Sequence, residues 1–180
     1  KFLLADAHGY DAVAVFHVAQ MAWAAGLVVP AAIRSALIPA FGAVRESSQS
    51  TSEELRRAEA WIAPMVPLGL FSGALFVPPL FSLVFPASYT DGALGASAGH
   101  LFLILLPGWG LAMMATPSLA GIQTGHNPWL YAGHAGAGLC FAVLAGLLLV
   151  PNNGPLGAAW AALSVSAVLA LLALVLRPSR

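Results

Sequence analysis

Charge is what this sequence has least of. Seven basic and seven acidic residues in 180 make 8 %, where soluble domains carry about 25 %. Lysine occurs once, at Lys1. With a formal net charge of zero there is no basic surface to meet a phosphate backbone, so nucleic acid is excluded as a partner. A single cysteine, Cys140, rules out an intrachain disulfide. Set in an apolar run, it is expected to be a small, buried packing residue. Catalytic sets are missing as well. There is no Gly-rich phosphate loop, no His-Glu-x-x-His and no pair of carboxylates inside an apolar run. The five histidines, His8, His17, His100, His126 and His134, have no metal-ligand spacing. Neither an enzyme nor a bound cofactor is expected. The chain starts at Lys1 without a signal peptide's charged segment and cleavage site, and reads as a fragment of a longer protein.

What the chain does have is hydrocarbon. Hydrophobic residues make up 59 % and the mean hydropathy is +0.85, which places it among membrane proteins. A bilayer core about 30 Å thick takes about 20 apolar residues per helix, and five runs are long enough. They cover about residues 11–38, 60–84, 97–119, 129–150 and 155–176. The fold class is therefore all-α: a polytopic membrane helix bundle of five transmembrane helices, one unit over residues 1–180. Arg45, Arg56 and Arg57 lie between the first two runs, and Arg177 and Arg180 follow the last. The connections at 87–96 and 151–154 carry no Lys or Arg. Under the positive-inside rule the 41–59 loop and the C-terminus are cytoplasmic. Lys1, on the opposite side, runs against that pattern, and the 121–128 loop is silent.

The 41–59 loop should contain a short helix leading into the second run. Thr51 can cap it with Glu54 as reciprocal partner, and Glu53 with Arg57 makes an i,i+4 pair. Trp61 would then lie at the membrane interface. Pro30, Pro78–Pro79 and Pro107 fall inside apolar runs and are expected to interrupt them. Small residues recur every four positions near the end: Gly138, Ala142 and Gly146 in line with His134, then Ala158, Ala162, Ser166 and Ala170. Such stripes let helix backbones approach closely.

One residue breaks the apolar pattern. Arg34 lies between Pro30 and Pro39 in the first run. An arginine at membrane depth costs roughly 2.5–3.5 kcal/mol on insertion scales, so such residues face a cavity or a polar partner. On a straight helix Gln20 lies about 40° from the azimuth of Arg34 and about 21 Å along the axis, and His17 about 60° from Gln20. Arg34, Gln20 and His17 are thus candidate substrate-binding residues along one polar stripe. The alternative is that Arg34 snorkels to cytoplasmic headgroups. His100 and His134 are weaker candidates, for proton relay.

The segment Pro30–Phe41 (PAAIRSALIPAF) resembles the helix end P-x-x-x-x-x-x-L-x-P-x-x of bacterial polysaccharide exporters. An acidic–basic loop follows in that family, where Glu53 and Arg57 stand here. Ser82–Tyr89 (SLVFPASY) comes next in order, and Asn153–Leu163 (NGPLGAAWAAL) is similar to the G-x-x-G-A-A-x-A-T-L opening of the family's final helix. The whole looks like the C-terminal part of an oligosaccharide-lipid flippase of the multidrug/oligosaccharidyl-lipid/polysaccharide exporter superfamily.

The resemblance implies two six-helix lobes around a central cavity, this chain supplying helices eight to twelve. It implies carriage of an undecaprenyl-diphosphate-linked glycan across the bacterial cytoplasmic (inner) membrane by alternating access, with proton or sodium as coupling ion. It carries Gly154 and Gly157 over as packing glycines, and Pro30 and Pro39 as helix-ending prolines. No invariant arginine of the family falls on Arg34, whose role rests on the physical reasoning above. The alternatives are a multidrug and toxin exporter of the same superfamily, which would want a mid-span carboxylate for cationic drugs, and a non-transporting membrane subunit.

Overall fold

A computed structural model describes residues 1–46, 51–92, 96–125 and 127–176. Six α-helices and one short 3-10 helix (Ala87–Tyr89) form, and no strand occurs among the described residues: α1 (Phe2–Gly26), α2 (Val28–Glu46), α3 (Thr51–Ile62), α4 (Met65–Val84), α5 (Ala98–Gln123) and α6 (Pro128–Val175). Four helical stretches, Phe2–Val44, Ser52–Val84, Ala98–Gln123 and Pro128–Val175, are long and apolar enough to cross a membrane. The all-helical fold read from composition therefore stands, and these long apolar helices are compatible with a multi-pass membrane protein.

α5 is the central helix. It packs against all five of the others. In its most apolar stretch 61 % of residues are buried, against 11 % in the stretch that contains α4. It is also the least apolar of the four stretches. That inversion suits a membrane bundle. Lipid-facing helices need apolar side chains all round, whereas an interior helix needs small residues that admit its neighbours. Glycines set the approach of α4. A Cβ on Gly69 would land in the Trp109 ring, one on Gly73 would lie 2.9 Å from Leu106, and one on Gly99 would lie 3.2 Å from Pro78. These pairs run in opposite order along the two helices, so α4 and α5 are antiparallel. Phe81 closes the far end of the pair, meeting Phe102 edge-on at 6.0 Å between ring centroids.

Two positive-φ glycines reverse the chain inside helical stretches. Gly9 (φ 81°, ψ 173°) turns the first residues back along α1. Lys1 Nζ consequently donates to His17 Nδ1 at 2.7 Å, although sixteen residues of continuous helix would separate them by about 24 Å. Gly154 (φ 54°, ψ −133°) folds the halves of α6 against one another. His134, buried, donates from Nε2 to Leu169 O at 2.9 Å, and a Cβ on Gly138 would lie 2.6 Å from the Leu169 side chain. A Cβ on Gly157 would run into Leu149 O, which explains the glycine at that position. The small-residue stripes behave as packing surfaces: Ala142, Gly146, Ala158 and Ala162 all border one gap with Leu3 and Leu4.

Several expectations need correction. Pro78, Pro79, Pro107 and Pro39 do not interrupt their helices; all lie inside continuous ones. A proline bends a membrane helix without ending it when its neighbours hold the backbone. Glycines at positive φ make the reversals instead. Cys140 is exposed, not buried. It shares the outer side of α6 with exposed Leu139, Val143, Leu144 and Leu147, an apolar surface of the kind a bilayer would cover. Arg57 pairs with Glu54 at 2.7 Å, an i,i+3 contact, in place of the expected Glu53. The Thr51 cap, the Arg45 side chain, His126, Arg177 and Arg180 lie outside the described residues.

The 41–59 segment is largely helical. α2 continues to Glu46, and α3 turns Leu55 and Ala58 inward onto Phe41 of α2 and Ala120 of α5. Arg56 and Arg57 remain on its outer side, and Trp61 is exposed at its end.

Candidate functional site at the first helix break

Pro30 explains the break between α1 and α2. Lacking an N–H, it leaves the Gly26 carbonyl without its helical donor. The helix loosens at Leu27, whose N–H is shared between Trp23 O (3.2 Å) and Ala24 O (3.1 Å), and resumes with Ala31 N–H on Leu27 O (3.2 Å). The orphaned carbonyl is recaptured from elsewhere: Trp109 Nε1–H on α5 donates to Gly26 O at 2.9 Å. A buried indole N–H needs an acceptor, and a proline-freed carbonyl in an apolar setting needs a donor. Each answers the other. The ring lies in the notch left by Gly69 on α4, so Trp109 joins three helical stretches at the break.

A cleft of about 440 Å³ opens beside this junction, between α1–α2, α4 and α5. Trp23, Val29, Gly73, Phe76, Phe102 and Trp109 make most of its wall. Its polar groups are few. Ser72 Oγ donates to Gly69 O at 3.3 Å, the Trp109 N–H is held by Gly26, and the Trp23 indole nitrogen is buried without a partner among the described residues. The cleft surface is mostly carbon.

Arg34 lies on another side of the helix. It is half-buried, one turn from buried Pro30 and one turn before Leu37, on the face that carries Phe41 into the core. Ile33 and Leu37 beside it pack against Trp109, Met113 and Ile62. Arg34 makes no hydrogen bond or ion pair among the described residues. Five positions separate it from Val29 in the cleft wall, about 140° round the helix, so arginine and cleft flank the break without meeting. Gln20 is half-buried on α1, its Oε1 buried without a partner among the described residues. His17 is exposed and engaged by Lys1. No hydrogen bond joins the three proposed stripe residues. His100 is exposed at the start of α5, where its backbone N–H is capped by Ser97 Oγ at 3.2 Å.

No family model, curated protein or solved structure matches this chain.

Sequence reasoning missed Trp109 and His8. The signal for Trp109 was present: an indole in the middle of an apolar run, flanked by Gly108 and Gly110, must find an acceptor. His8 plays the corresponding part at the second break. Pro155 cannot donate to Pro151 O, and Gly154 is not helical. His8 Nε2–H donates to Val150 O (3.1 Å) and Pro151 O (3.0 Å), and Asn153 Nδ2 donates to Leu149 O (3.1 Å).

Proposed function

We propose that this chain is a membrane-embedded part of a carrier that moves lipid-linked oligosaccharide across a bacterial cytoplasmic membrane. In this reading the two halves of α6 cross separately, which makes five crossings, and the bundle forms most of one lobe. The observation that carries it is Arg34, a half-buried guanidinium with no partner among the described residues, about two turns beyond the break at Leu27. A guanidinium so placed suits a diphosphate, which offers charge and paired acceptor oxygens in a geometry the planar fork can match. The loosened backbone at Leu27 gives α2 a pivot on which to rock during alternating access. Gln20 and His17 would serve earlier points on the path.

The test is export of an undecaprenyl-diphosphate-linked glycan by the carrier with Arg34→Ala. Export should drop about tenfold or more at unchanged membrane abundance, because a charge-assisted hydrogen bond contributes roughly 1.5–3 kcal/mol. Arg34→Lys should recover part of it, since lysine keeps the charge but loses the fork. Normal export from Arg34→Ala would overturn the reading.

A further inference from the structure

We propose that the cleft between α1–α2, α4 and α5 is a binding site for one acyl chain of a bilayer phospholipid. The inference rests on the membrane-spanning character of the helices and not on Arg34 or on transport. The cleft opens onto Val29 and Phe76, which are exposed, and Phe76 continues into the exposed apolar side of α4 with Leu75 and Leu80. In a bilayer that outer surface meets hydrocarbon, so the phase at the mouth of the cleft is acyl chain.

The interior selects the same occupant. With Ser72 bonded back to its own helix, the Trp109 N–H taken by Gly26 O and the Trp23 nitrogen buried, a polar solute would lose its hydration and find little to replace it. The cleft measures about 440 Å³. A flexible chain can lie along it, and cavities near 150 Å³ already hold benzene-sized apolar ligands. Gly26 and Gly73 keep the cleft clear of side chains, and the rings of Trp23, Phe76, Phe102 and Trp109 supply flat walls. The chain would lie against Trp109, the residue that holds the Gly26 carbonyl at the break.

The test uses the full chain in phospholipid vesicles, with Trp61, Trp129 and Trp160, all exposed, changed to Phe. Fluorescence then comes from Trp23 and Trp109 alone. Phospholipids brominated along the acyl chain should quench it. Filling the cleft by Ala22→Phe, or independently by Ser72→Leu from the opposite wall, should cut that quenching about twofold or more, because a filled site excludes the chain. Leu83→Phe, on the outer side of α4, should leave it unchanged. Absence of quenching in the parent would overturn the proposal, as would quenching that neither filling variant alters. Relief of quenching by added polyprenyl phosphate would also overturn it, assigning the cleft to an isoprenoid chain. If the protein failed to float with the vesicles, the membrane reading would fall along with the site. Flotation without quenching would remove the site alone.

Discussion

The breaks at Leu27 and at Gly154 solve one problem in two ways. In both, a proline leaves a carbonyl without its helical donor, and in both a side chain from a distant segment supplies the replacement. At Leu27 the donor is Trp109, 9 % exposed and set between three helical stretches. The backbone there stays in the right-handed helical region and the chain keeps its course. At Gly154 the donor is His8, which is exposed, and a positive φ sends the chain back on itself. The first is a loosened joint inside the bundle. The second is a corner at its end, where water can reach. Proline alone thus creates a demand for a donor, whereas glycine decides whether the chain turns.

The comparison can be broken most forcefully at the corner. Gly154→Ala forces a side chain into a backbone conformation that glycine alone adopts readily, with the His8 ring 3.4 Å from the new Cβ. We expect a loss of about 2–3 kcal/mol in denaturant unfolding in micelles. A Gly154→Ala protein of unchanged stability would mean that the corner is not a glycine device. Next comes the joint. Trp109→Phe removes the N–H and strands the Gly26 carbonyl in an apolar setting, for an expected loss of about 1–2 kcal/mol. Adding Pro30→Ala returns a backbone donor and should recover most of it, which a double-mutant cycle would read as coupling between the two positions. Strictly additive losses would separate Trp109 from the proline. The smallest effect belongs to His8→Phe. Water can replace the lost donor at an exposed corner, so about 0.5–1 kcal/mol is expected in the same unfolding experiment. A loss as large as that of Trp109→Phe would erase the distinction between the two breaks.

The hydrophobic runs were legible because length and polarity follow directly from bilayer thickness. The runs at 60–84 and 97–119 meet helices Met65–Val84 and Ala98–Gln123, and the turn at 151–154 meets the Gly154 reversal. What was not legible depends on partners. Cys140 reads as apolar whether it faces a core or lipid, because hydropathy does not distinguish the two in a membrane protein. The prolines at 78, 79 and 107 look like breaks in one dimension, but their helices persist within the packed bundle. Arg34 was singled out by its cost, and it lies half-buried on the inward side of α2. The stripe drawn from Gln20 through His17 was less secure. It assumed a free His17, and the Gly9 reversal brings Lys1 onto that ring.

The central place of α5 has a consequence for biogenesis. Synthesis proceeds from the N-terminus, so α1 to α4 leave the ribosome before the helix that every one of them touches. Until it arrives they have only slight contacts with one another and their own affinity for lipid, which α4, apolar on nearly every side, possesses in full. Most of the packing among the first four helices is thus made through a helix that is synthesised after them.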